Sequence, residues 1–162
     1  MTSRPGRDRD PAGRPRNARP RDGLGRPLPK GTVGEPRVPD DLLLPPAESL
    51  ALADHMLAEG RPFHAHEVLE ASWKAAPPAE RDFWQGLAQL AVGLTHARRG
   101  NAAGAITLLN RGAARIRAYA PADPYGVPVA RVAADAENLA GQIGQDGLSR
   151  TPPVVPDLRL RP

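Results

Sequence analysis

The stretch Phe83-Trp-Gln-Gly-Leu-Ala-Gln-Leu-Ala-Val-Gly-Leu-Thr-His-Ala97 carries no charge between Asp82 and Arg98. It contains two Gln and a His and falls short of the ~20 apolar residues that a membrane span needs. Turned at about 100° per residue, Phe83, Leu87, Leu90 and Leu94 form the main apolar face, and Trp84, Ala91 and Thr95 cover much of the rest. Gly86, Gly93 and Ala97 leave a groove in which another helix can approach closely. A helix apolar nearly all round is a central helix. Its stripe of Gln85, Gln89, Val92 and His96 must then be hydrogen-bonded, because a buried polar group without a partner costs about 1–3 kcal/mol.

The flanking segments read as helices too. A first helix runs over about 47–59, with Leu50, Ala53, Met56 and Leu57 at helical spacing between Pro46 and Gly60. A second runs from Pro62 to about Ala75, where Pro77-Pro78 stops it. The central helix, third in order, spans about 79–99 and ends at Gly100. A fourth follows Asn101, a good N-cap, to about Tyr119, and a fifth covers about 127–143 after a Pro- and Gly-bearing turn. No run reads as a strand. Gly60, Ala65 and Leu69 recur forty residues on as Gly100, Ala105 and Leu109, so helix–Gly turn–helix appears twice. The expected fold is all-α: a compact bundle of about five helices built from two helical hairpins, with the fifth packed across them.

Composition bounds the rest. The chain has 162 residues, 22 basic and 18 acidic side chains and no cysteine, which excludes disulfides, thiolate metal sites and Cys nucleophiles. Residues 1–30 hold eight Arg and Lys30 against three Asp, a net +6; the thirteen basic and fifteen acidic side chains that remain leave the body at −2. A basic tail on a mildly acidic body predicts at most weak, salt-sensitive attraction to nucleic acid. Ten of the twenty prolines fall in residues 1–46, too many for a packed core there. The expected organisation is a basic Pro/Arg-rich tail over 1–45, a helical domain over 46–145 and a Pro-rich C-terminal tail over 146–162. Residues 1–30 are expected to be disordered, and 31–46 to lie extended on the body through Val33, Val38 and Leu42–Leu44. With no apolar leader and no apolar span, the chain is expected to be soluble and cytoplasmic. The Ala- and Arg-rich composition points to a high-GC bacterial genome.

The second helix adds chemistry. On its stretch Phe63-His-Ala-His-Glu-Val-Leu-Glu-Ala-Ser-Trp73, His66 and Glu70 stand four apart at the edge of the apolar face, next to Trp73. That spacing stacks two side chains on one face, as a pair of metal ligands or an acid–base pair requires. The pattern is His-Glu-x-x-Glu and lacks the second imidazole of the zinc-protease motif. The nearest partners for the Gln85, Gln89 and His96 stripe would be His66 and Glu70 across the second and third helices. Plainer readings compete. Glu70 precedes Lys74 by four, a surface pair worth about 0.3–0.5 kcal/mol; Gln85 and Gln89 would simply knit helices together; Trp73 is either core or a stacking surface. His55 and His64 read as surface residues.

These residues resemble a known prokaryotic family. Gly60-Arg-Pro-Phe-His-Ala-His-Glu-Val-Leu-Glu-Ala-Ser-Trp73, Trp84-Gln-Gly-Leu-Ala-Gln-Leu-Ala-Val-Gly-Leu-Thr-His96 and Arg99-Gly-Asn-Ala-Ala-Gly-Ala105 look like the family called domain of unknown function 309, over roughly residues 46–120. The pattern falls on His66, Glu67, Glu70 and Trp73, on Gln85, Gly86, Gln89 and His96, and on Asn101, Gly104 and Ala105. The resemblance implies a compact all-helical fold and the label of predicted metal-dependent hydrolase.

Two functional classes follow. In the first, the polar site between the second and third helices belongs to a ligand-binding or interaction module that holds a small polar ligand or a protein partner, with Trp73, Gln85 and Gln89 as contacts. In the second, the chain is a metal-dependent hydrolase in which His66, Glu70 and His96 bind a divalent metal, Glu67 acts as base, and Gln85 and Gln89 orient substrate or water. No membrane association is expected. An apolar patch on so small a bundle would allow a homodimer.

Overall fold

The computed structural model describes residues 21, 22, 24–26, 28, 33, 34, 39, 43–148 and 158–161. Among them the chain forms five α-helices and no strand: α1 (Pro46–Ala58), α2 (Pro62–Ala75), α3 (Arg81–Arg98), α4 (Ala102–Ile116) and α5 (Val129–Asp146). Every expected helix is present, and the fold is the expected all-α bundle. Boundaries differ where the chain winds more tightly. Pro78–Glu80 and Arg117–Tyr119 are 3-10 turns rather than the ends of α3 and α4, and α5 continues to Asp146.

Two compact units divide the chain, Met1–Pro36 and Arg37–Pro162. In the first, Asp22 organises a turn: its Oδ1 accepts the Leu24 and Arg26 amides, each at 2.9 Å, and Gly25 takes a positive φ of 73°. Val33 is exposed. The expected disorder of residues 1–30 falls mostly outside the described residues, as do the anchoring roles given to Val38 and Leu42.

In the second unit each helix packs chiefly on its neighbours in the chain, α1 on α2, α2 on α3, α3 on α4 and α4 on α5. One continuous apolar cluster runs through all five. The forty-residue repeat is structural. After α1, Gly60 adopts φ 72°, its N–H bonds to Leu57 and that of Arg61 to Met56; after α3, Gly100 adopts φ 81°, its N–H bonds to Ala97 and that of Asn101 to His96. Both turns are therefore Schellman closures, which need the left-handed residue that glycine supplies without a Cβ clash. Ala65, Leu69, Ala105 and Leu109, the other members of the repeat, are all fully buried.

α3 is central as expected, with Phe83, Trp84, Leu87 and Leu90 sealed from solvent. Its glycine groove receives α4. A Cβ on Gly86 would lie 2.5 Å from Ile116 Cγ2, and one on Gly112 would lie 2.8 Å from the Gly86 carbonyl. The backbones thus meet at Gly86 and Gly112, where any side chain would force the helices apart.

The C-terminal segment departs from the reading of 146–162 as a tail. Leu158 and Leu160 are buried in the core cluster. Asp54 of α1, itself buried, accepts the Leu160 amide at 2.8 Å and pairs with Arg159 through both carboxylate oxygens. Arg131 of α5 donates to the carbonyls of Arg159 and Arg161, each at 3.0 Å. This segment joins the first helix of the array to the last. Alternating apolar and polar residues, Leu158 and Leu160 against Arg159 and Arg161, make that docking possible: two side chains enter the core while two stay at its edge.

Candidate functional site

α2 brings His66 and Glu70 together. His66 Nε2 lies 3.4 Å from Glu70 Oε2, and Glu70 Oε1 lies 3.4 Å from Lys74 Nζ. The imidazole is largely buried, its ring 5.8 Å from that of Phe63. Burial pushes the His66 pKa below its ordinary value, and the negative charges of Glu70 and Glu67 offset only part of that. Burial thus favours the uncharged imidazole, with Nε2 facing the Glu70 carboxylate. Glu67 is half-buried beside it. Trp73 is also half-buried and packs against the core cluster. His64, expected at the surface, is buried; α2 is packed on by α1 as well as by α3, so more of its surface is covered than its apolar residues alone imply.

The amide and imidazole row of α3 does not join this pair. Gln89 Oε1 accepts from Arg115 Nε of α4 at 3.2 Å, and Arg115 also holds Asp82 at 2.7 Å. His96 Nδ1 lies 3.1 Å from Asn101 Nδ2, while Asn101 Oδ1 accepts the Gly104 amide as the N-cap of α4. Gln85 is half-buried one turn before Gln89. The expected site between the second and third helices is therefore not assembled from both rows. The reason lies on α3 itself. Gly86 is three residues before Gln89 and Gly93 four after it, so both share its stripe. The glycines that admit α4 commit Gln89 and His96 to α4 as well.

This arrangement does not fit the metal set His66, Glu70 and His96. Among the described residues no three His, Cys, Asp or Glu side chains form a group able to hold a metal ion. His96 is engaged at the α3–α4 turn and only His66 and Glu70 meet.

A concave site lies elsewhere. A cavity of about 420 Å³ opens between the Leu43–Pro46 lead-in to α1, the C-terminal end of α2 through Pro77, and the residues Glu80, Trp84 and Tyr125. Glu80 ends the 3-10 turn before α3. Its carboxylate accepts the Trp84 indole N–H at 3.2 Å and the Tyr125 hydroxyl at 2.8 and 2.9 Å. The Trp84 and Tyr125 ring centroids are 5.9 Å apart. Nearby, Tyr119 donates its hydroxyl to the Ala79 carbonyl at 2.7 Å and so anchors the same 3-10 turn.

Tyr125 reaches Glu80 from a strained turn. Asp123 and Tyr125 have φ of 41° and 55°, the left-handed region that costs a non-glycine residue about 1–2 kcal/mol. Asp123 Oδ1 accepts the Val129 amide at 3.1 Å, which ties the turn to the first residue of α5. The hydrogen bond that the neutral phenol donates to Glu80, then burial and the adjacent negative charge, hold the Tyr125 phenol above its ordinary pKa.

Trp84 is core, as its helical face implies, whereas Glu80 and Tyr125 belong to no motif, and in the sequence 121–126 reads as a plain turn. Proline brackets were the available signal: Pro45-Pro46, Pro77-Pro78 and the Asp-Pro-Tyr-Gly turn each hold the chain in a fixed extended or turned form around one cavity.

No helix among the described residues is long and apolar enough to cross a membrane. Comparison with known proteins agrees with the motif reading. A family model described as a domain of unknown function (DUF309) matches residues 50–108. The uncharacterized protein YpuF of Bacillus subtilis (strain 168) is 52% identical over 48 residues, which is 29% of this chain and 28% of the relative. The chain thus spans under a third of the length of that curated relative. No solved structure matches. Neither description carries the hydrolase label. Residues 50–108, which hold most of α1, all of α2 and α3 and the first half of α4, thus match the DUF309 family model, as the motifs on α2 and α3 implied.

Proposed function

We propose that this chain is a ligand-binding helical module and that its binding site is the cavity bounded by the α1 lead-in, the α2 C-terminus, Glu80, Trp84 and Tyr125. One observation carries the reading. Leu43 and Tyr125 are the large apolar side chains left exposed among the described residues of the second unit, and both line this cavity. Apolar surface gathered at a concave site with a few polar groups is the usual form of a small-molecule pocket, and the volume falls within the usual range of about 300–1,000 Å³. Fragment screening by NMR tests it: ligands are expected to shift Ala75, Ala76, Tyr125 and the Trp84 indole N–H together. Ala75→Trp, which fills the cavity from an exposed position, is expected to abolish those shifts at unchanged stability. Fragments that bind Ala75→Trp as well as the native chain would overturn the assignment.

The metal-dependent hydrolase reading retains one supporting feature, the His66 imidazole against Glu70, which has the geometry of an acid–base or two-ligand pair. Equilibrium dialysis against zinc or manganese, compared between the native chain and His66→Ala, separates the cases. Stoichiometric metal lost on substitution would favour it; equal content in both proteins would remove His66 from any metal site.

A further inference from the structure

The chemistry of the cavity selects among ligands. Glu80 is the charged side chain among those lining it. Among the described residues no Lys or Arg pairs with that carboxylate; its partners are the Trp84 indole and the Tyr125 hydroxyl. A carboxylate offers about four lone-pair positions, and these two groups supply one proton each. Acceptor capacity therefore remains on a half-exposed carboxylate at an otherwise largely apolar wall, where a donor of opposite charge is favoured over a neutral one. Trp84 is buried and meets the carboxylate only through its N–H edge, whereas the Tyr125 ring is exposed beside it and offers apolar surface to a ligand. The Leu43–Pro46 and Ala75–Pro77 walls offer hydrocarbon for the rest of a ligand.

We infer that this pocket takes a small organic ammonium ion carried on an apolar body, with the ammonium group on Glu80 and the body against the proline and alanine walls. The inference rests on the ligand-binding reading above and adds the charge of the ligand. A neutral ligand offers the carboxylate no opposite charge, and an anion meets it as a like charge. Tyr125 sets the direction of approach: its hydroxyl bridges both carboxylate oxygens, so the ammonium group enters beside the ring rather than through it. The strain at Asp123 and Tyr125 fits this role, since backbone held in the left-handed region persists where the surrounding structure needs a side chain in one place.

Three probes of one shape test the charge: 3-phenylpropylammonium, 3-phenylpropanol and 3-phenylpropionate, titrated against the native chain while the Trp84 indole N–H signal is followed. That signal is assigned with Trp73→Phe, which leaves one indole. The ammonium compound is expected to bind at least about tenfold more tightly than the alcohol, and the carboxylate compound more weakly than either. Glu80→Gln is expected to bring the ammonium compound level with the alcohol while alcohol binding persists. An alcohol that binds as tightly as the ammonium compound, both being lost in Ala75→Trp, would overturn the inference and leave the ligand-binding reading standing. No shift with any probe would also overturn it, and the fragment screen then judges the broader reading by itself. If Glu80→Gln does not fold, the native chain still decides. An ammonium preference that shrinks from low to high salt supports the inference, and one that is insensitive to salt overturns it.

Discussion

Asn101 holds His96 with its amide nitrogen, at 3.1 Å from Nδ1, while its oxygen caps the Gly104 amide at 3.0 Å. One side chain thus closes α3 and opens α4. With its oxygen occupied as acceptor, Asn101 donates to Nδ1, which places the His96 proton on Nε2. Asn101→Ala removes both contacts and is expected to destabilise the fold by about 1–2 kcal/mol. Urea unfolding measures the loss, and faster amide exchange at Gly104 localises it. Asn101→Asp, which keeps the cap, is expected to lose less.

The Gly86–Gly112 contact predicts a contrast among glycines. Gly112→Ala puts a Cβ about where the Gly86 carbonyl already stands, and backbone cannot move aside cheaply. A loss of about 1–3 kcal/mol is expected. Gly141→Ala on the open face of α5 meets nothing within 4 Å and is expected to stabilise by about 0.5–1 kcal/mol through helix propensity. Thermal melts of the two variants should move in opposite directions.

Asp54 predicts the weight of the C-terminal segment. Asp54→Ala leaves the Leu160 amide and the Arg159 guanidinium without their acceptor, and a cost of about 2–3 kcal/mol is expected. Asp54→Asn keeps an oxygen for Leu160 and is expected to lose less. Equal losses in the two variants would show that the amide contact contributes nothing. Limited proteolysis should cut the C-terminal segment sooner in Asp54→Ala than in the native chain.

His66 predicts a pH dependence. Its folded-state pKa lies below that of an unfolded histidine, so the unfolded chain takes up the proton first as pH falls. Its contribution to stability is present above about pH 6.5 and is lost on acidification through the folded-state value. His66→Phe is expected to flatten the slope of stability between about pH 7.5 and pH 5.5 relative to the native chain. Imidazole resonances followed by NMR should show His66 titrating at lower pH in the folded than in the urea-unfolded chain. The reverse order would mean that Glu70 and Glu67 outweigh burial.

The helices and their order were legible because each rests on local signals: Pro46 and Pro62 at helix starts, Asn101 as cap, Gly60 and Gly100 as left-handed closures. The central place of α3 was legible from its lack of charge. The partner of its polar stripe was not, although Gly86 and Gly93 lay in the same stripe. The second helix was as close in sequence as the fourth, and only the depth of the Gly86–Gly112 approach distinguishes them. His66 and Glu70 met as their spacing required, since four residues on one helix need no tertiary information.

Glu80 and Tyr125 are forty-five residues apart and meet only because α3, α4 and the strained turn before α5 bring their ends together. Asp54 and Leu160 are separated by 106 residues and meet for the same kind of reason. The residue string determined where helices begin and end, because caps, prolines and apolar periodicity act within a turn or two of chain. Which polar groups face one another, and where a cavity remains, followed from how closely the backbones could approach, a property of pairs of helices that no single segment contains.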